Sequence, residues 1–118
     1  RMSKRVFTGH IVEHINGDHE DALFLTDHKE PIAEELEYIH NKQVTVRYWI
    51  TDVRCSMDEA ITAFLHRIDG VGDAKYLSRY SELTGYLWTD EDLNVGGHDL
   101  LEELRSNIGK FIILEVEV

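Results

Sequence analysis

The chain lacks the covalent and compositional devices on which many small proteins rely. Its only cysteine is Cys55, which excludes an internal disulfide and a thiolate-held metal cluster. Its only proline is Pro31, and the absence of any repeat or low-complexity tract leaves no extended linker and no solenoid. No apolar run approaches the roughly 20 residues that cross a bilayer as a helix, and residues 1–7 lack the apolar core of a signal peptide. A cytoplasmic protein with no membrane association is therefore the expectation. Basic side chains are also scarce. The 12 Lys and Arg face 23 Asp and Glu, a net charge of −11, so wrapping nucleic acid would be repulsive. Such a charge suits solubility, a basic partner, or a small anionic ligand admitted by a local basic patch.

What is present suffices for one domain spanning residues 1–118, since 42% of the side chains are hydrophobic. Two helices are signposted. Ser56-Met57-Asp58-Glu59 is a capping box, in which the Ser56 hydroxyl accepts from the Glu59 N–H while the Glu59 side chain reaches back. Ala60, Ile61, Phe64, Leu65 and Ile68 then recur at helical spacing, and Gly70 supplies a left-handed stop. The second helix opens after Gly96-Gly97, carries Leu100, Leu101, Leu104 and Ile108, and stops at Gly109. Asp99 and Arg105 suit the two ends of its dipole.

Strands surround these helices. Val44, Val46, Tyr48 and Ile50 alternate with Thr45, Arg47, Trp49 and Thr51, and Ile112, Leu114, Val116 and Val118 alternate with Ile113, Glu115 and Glu117. Residues 74–80 and 84–89 read as two strands joined by a turn around Ser81-Glu82-Leu83. Residues 44–118 then run β-α-β-β-α-β, a ferredoxin-like core, preceded by a β-rich extension over residues 1–43. The fold class is α+β. Within the extension, residues 6–15 and 22–27 flank the hairpin signal Asn16-Gly17-Asp18. Residues 35–40 read as a strand pairing with 44–50, with a helix from Pro31 through Ile32, Leu36 and Ile39 as the competing reading.

Three groups carry candidate chemistry. His10, His14, Asp18, His19, Glu20 and Asp21 are metal-ligand types. Four strand steps nevertheless separate His10 from His14 by about 13 Å, and no HExxH-like spacing occurs, so no metal is assigned. Gly96, Gly97 and His98 open the second helix, where free N–H groups form an anion pocket; no Walker lysine follows, and a tight turn is the plain alternative. Arg47, Trp49, Arg54, Tyr76, Arg79, Tyr80, Tyr86, Trp88 and Arg105 combine rings with guanidinium forks, the pairing that stacks a base and holds its phosphates. Their plainer role is packing or an oligomer interface. No GxSxG elbow or Ser/His/Asp set can be placed, so the chain reads as a binding protein rather than an enzyme, and no cofactor is assigned.

The order of strands and helices, Arg47, Arg54 and Arg105, and the Tyr and Trp residues of 76–88 resemble in outline the phage Thoeris anti-defence proteins, which sequester cyclic ADP-ribose-type signals. The resemblance implies a non-catalytic, homo-oligomeric sponge for a nucleotide-type ligand. The leading expectation is accordingly capture of a small nucleotide-type anion by Arg47, Trp49, Arg54, Arg79, Tyr86, Trp88, Gly96, Gly97, His98 and Arg105. The alternatives are an acidic protein-interaction or inhibitor module and a metal-dependent hydrolase built on residues 10–27. Nucleotide capture requires Arg47, Trp49, Arg79 and Trp88 to converge on an open face.

Overall fold

A computed structural model of the chain describes residues 3–14, 22–69, 77–90 and 92–118. The strands are β1 (Lys4–His14), β2 (Ala22–Leu25), β3 (Gln43–Thr51), β4 (Leu77–Trp88), β5 (Asn94–Val95), β6 (His98–Asp99) and β7 (Phe111–Glu117). The helices are α1 (Ile32–Glu35), continued by a 3-10 turn at Glu37–Ile39, α2 (Met57–Asp69) and α3 (Leu100–Arg105). The strands make one antiparallel sheet in the order β2-β1-β7-β3-β4-β5-β6, curled into a half-barrel. This is an α+β architecture, and no described helix is long and apolar enough to cross a membrane.

Period-two alternation decides what each sheet face buries. The inner face carries Val44, Val46, Tyr48 and Ile50 of β3, Ile112, Leu114 and Val116 of β7, and Phe7 and Ile11 of β1. Ile32, Leu36, Ile39, Leu100 and Leu104 close over it to form the main core. On the outer face, Trp49, Phe111 and Ile113 make a smaller cluster beneath Ala60 and Ala63 of α2. The capping box starts α2 as its sequence dictates: the Glu59 N–H donates to Ser56 Oγ at 3.1 Å and the Ser56 N–H donates to Glu59 Oε1 at 2.9 Å.

Several expectations are corrected. The sheet is not a ferredoxin-like βαββαβ unit. Residues 81–83 form no turn; Ser81, Glu82 and Leu83 pair with Tyr48, Arg47 and Val46 inside a single strand. That stretch holds no Gly, Pro or Asn to impose a turn, so the alternation of Tyr80, Glu82 and Thr84 against Ser81 and Leu83 runs straight through. Helix α2 consequently links two antiparallel neighbours, β3 and β4, rather than two parallel strands. The N-terminal segment is no appendage either, because β7 lies between β1 and β3 and pairs with both.

Residues 35–40 are helical rather than extended. Ile32, Leu36 and Ile39 are all buried, a spacing of four and three that only a helical path can bring to one side. Pro31 sits immediately before α1, where its missing N–H costs nothing. Helix α3 is shorter than its leucine pattern implies: it ends at Arg105, and Ile108 stands half-exposed in the turn that follows. Strands β1 and β2 pair as the hairpin reading requires, while its Asn16-Gly17-Asp18 turn and the Gly70 stop lie outside the described residues.

Candidate interaction surface

Helix α2 covers only one end of the outer sheet face. At the other end the register places Gln43 opposite Tyr86, Thr45 opposite Thr84 and Glu117, and Arg47 opposite Glu82 and Glu115. Directly opposed residues of an antiparallel ladder share a face, so these side chains form one continuous patch that no described helix covers. At its centre Arg47 donates from Nε to Glu82 Oε2 at 2.8 Å, and from Nη1 to Glu115 Oε1 at 3.1 Å and Glu117 Oε1 at 3.2 Å. The bonds to Glu117, then Glu82 and Glu115, push the guanidinium pKa further up, so it stays charged. With Lys4 opposite Glu117 on the same face, three carboxylates stand against two cations and leave the patch negative. The Glu115 and Glu117 side chains are only 14% and 13% exposed.

The same row of β4 continues from Glu82 and Thr84 to two exposed rings, Tyr86 at 62% and Trp88 at 43%. Trp88 is fixed in place. Its Nε1–H donates to the Asp90 carbonyl at 3.1 Å, and its ring centroid lies 4.5 Å from that of His40. His40 is oriented in turn, because its Nδ1 accepts the Thr89 N–H at 3.1 Å, which leaves the ring proton on Nε2. Beside this pair is a hollow of about 370 Å³ lined by Ala33, Glu34, Glu37, His40, Thr89 and Asp90.

The ten candidate ligand residues are not gathered at one point. Arg47, Trp49, Tyr86 and Trp88 share the outer face, but Trp49 is sealed beneath α2 at 5% exposure. Arg79 stands opposite Ile50, on the inner face, and is ion-paired with Glu103. Arg79 and His98 both line a second cavity of about 380 Å³, together with Tyr48, Ser81, Asp99 and Glu103. Arg54 lies over the Phe111 ring at 4.8 Å and donates to both Asp27 oxygens, at 3.0 and 2.7 Å. Arg105 faces Glu13 at 3.6 Å. Thus Arg47, Arg54, Arg79 and Arg105 each have a carboxylate partner within the chain.

Gly96 and Gly97 do not open a helix. With φ of +56° and +84° they make the tight turn joining β5 to β6, and α3 begins at Leu100. The Asp99 side chain already accepts the Glu102 N–H at 3.0 Å, so the first turn of α3 is capped from within. Much of the histidine and carboxylate group of residues 10–21 lies outside the described residues. Among those described, no three His, Cys, Asp or Glu side chains are placed to hold a metal. Burial pushes the Cys55 thiol up rather than activating it.

Sequence reasoning missed Glu82, Thr84, Glu115 and Glu117. The signal for the last two was present: Glu115 and Glu117 continue the alternation of Phe111 and Ile113, which means that this face passes from covered to open along β7. No protein-family model, curated protein or solved structure matches the chain.

Proposed function

We propose that this chain is a non-catalytic interaction protein whose uncovered outer sheet face docks a basic surface of a macromolecular partner. The observation that carries the reading is the row Glu82, Thr84, Tyr86 and Trp88 beside the Arg47 carboxylate cluster. Exposed Tyr and Trp on a rigid strand are the residue types that dominate protein interfaces. Carboxylates held around them favour encounter with positive charge and disfavour anions. An overall charge of −11 adds long-range steering of the same sign.

Capture of a small nucleotide-type anion is the second reading, and it rests on the cavity where Arg79 and His98 meet. That cavity also presents Asp99 and Glu103, and a phosphate there would have to draw Arg79 from its own ion pair. Macromolecular docking asks for no such exchange.

Titration with a Lys- and Arg-rich peptide, followed by backbone NMR and tryptophan fluorescence, separates the two readings. Docking on the outer face gives saturable shifts at Thr45, Thr84, Tyr86 and Trp88 that weaken with salt, and binding falls at least about tenfold in Tyr86→Ser and Trp88→Ser. Shifts confined to Arg79, Ser81 and His98, or a rise in melting temperature with cyclic nucleotides and none with the peptide, would transfer the assignment to the second reading.

A further inference from the structure

The sheet is guarded at one margin and open at the other. Beyond β2, Pro31 makes a single bridge to Phe24, and a proline beside an edge strand stops further pairing. At the other margin β5 pairs with β4 through Leu87 and Trp88, and the Gly96 N–H donates to the Tyr86 carbonyl at 3.0 Å. From Thr84 back to Leu77 no described strand lies on that side of β4. The ladder fixes which backbone groups are left open. In an antiparallel strand the N–H and C=O of one residue point one way and those of the next point the other. The Leu87 N–H donates to the Lys42 carbonyl at 3.0 Å and the Leu87 carbonyl accepts the Asn41 N–H at 2.7 Å, whereas the Tyr86 carbonyl faces β5. Carried through the unbroken register with β3, this alternation turns the N–H and C=O of Thr84, Glu82 and Tyr80 outward. Burial agrees. Tyr48 and Val46 are 3% and 0% exposed, yet Ser81 and Leu83, their partners across the ladder, are half-buried. Neither proline nor lysine blunts residues 80–84.

We infer that an extended basic segment of the partner adds to this edge as a further strand of the sheet. The inference rests on the docking reading above and specifies how the partner enters. Donors and acceptors repeating at strand spacing are matched by another extended main chain, which makes the occupant a strand rather than a helix. Side chains of an added strand alternate between the two sheet faces, and on both they meet negative charge. Outside lies the Arg47 cluster with Glu82, Glu115 and Glu117. Inside is the cavity of about 380 Å³ lined by Ser81 and Leu83, where Arg79 and Glu103 offset one another and Asp99 remains. A second copy of β4 suits the edge poorly, because it would bring another Glu82 beside the same carboxylates.

Amide hydrogen exchange of the full chain, with and without a short peptide alternating Lys and Val, provides the test. In the free chain the amides of Tyr80, Glu82 and Thr84 exchange readily while those of Ser81 and Leu83 are protected. At saturating peptide the first three slow at least about tenfold. Backbone methylation of the peptide supplies a second measurement that alters no residue of the protein. Methylating every second nitrogen leaves one peptide edge able to pair, and binding persists; methylating every nitrogen removes both edges, and affinity falls at least about tenfold. Equal affinity of the unmethylated and fully methylated peptides, or binding without slowing at residues 80, 82 and 84, overturns the inference and leaves docking on the outer face intact. Protection of those amides in the free chain, constant or growing with its concentration, means that the chain or a second copy fills the edge and also overturns it. Absence of any peptide binding removes the docking reading, and this inference with it.

Discussion

Replacing Arg47 by methionine keeps the aliphatic stem and removes the guanidinium that the Glu82, Glu115 and Glu117 carboxylates share. Exposed ion pairs are worth about 0–1 kcal/mol, whereas removing one partner of a buried pair costs about 3–5 kcal/mol. With Arg47 28% exposed and two of its three partners well shielded, the loss at neutral pH should fall between these limits, at roughly 2–3 kcal/mol. Urea denaturation should register it as a lower midpoint with an unchanged slope. Adding Glu115→Gln and Glu117→Gln should recover most of the loss. A deficit below about 0.5 kcal/mol, or one equally large in the background lacking those two glutamates, would refute the idea that Arg47 acts by neutralising them.

Two further perturbations test other parts of the fold. Hydrogen bonds from Arg54, then Thr8, hold the Asp27 carboxyl down to about 2. Because that value is depressed, its stabilisation is complete above the unfolded value near 3.9 and disappears as pH falls through about 2. Asp27→Asn should accordingly lower the melting temperature at pH 7 and cease to matter near pH 2; a gap that is constant with pH contradicts this. Gly85 has φ of +151°, and a Cβ there would lie 2.5 Å from the Gly96 Cα. Gly85→Ala should cost more than the roughly 1–3 kcal/mol of backbone strain alone, because β4 and β5 must separate. Gly97→Ala, with φ of +84° and open space around the site, should show the strain without the clash. Equal losses in the two variants would mean that close approach at Gly85 is unimportant.

The parts of the fold that were legible in the sequence are those decided within a few residues. The capping box at Ser56, the alternation of β3 and β7, and the pairing of β1 with β2 all follow from local pattern. What was not legible depends on distant partners. Ser81-Glu82-Leu83 reads equally as a turn or as strand until β3 is present to pair with it. Gly96-Gly97 has the same local signature before a helix as in a hairpin, and the hairpin forms because Gly85, having no side chain, lets the Gly96 backbone approach. Ile32, Leu36 and Ile39 had helical spacing, but the adjoining Glu-Leu-Glu-Tyr-Ile-His segment also alternates, and burial of Ile39 decided between them. In the site, Arg47 was identifiable by type. Its carboxylates, 35 to 70 residues further along the chain, were not, so a guanidinium that looked available for phosphate is already engaged.

The placement of β7 also bears on synthesis. This strand pairs with β1 on one side and β3 on the other, yet it is the last of the described strands to leave a ribosome. Until then the β1–β2 hairpin and the β3–β4 ladder have no strand between them, and the apolar rows of both stand exposed to water and to one another. Closure must wait for residues more than a hundred positions downstream of the first strand, the kind of distant pairing that slows folding. A nascent chain stalled before residue 111 would therefore hold two unjoined half-sheets, the form most open to wrong pairing or to capture by a chaperone.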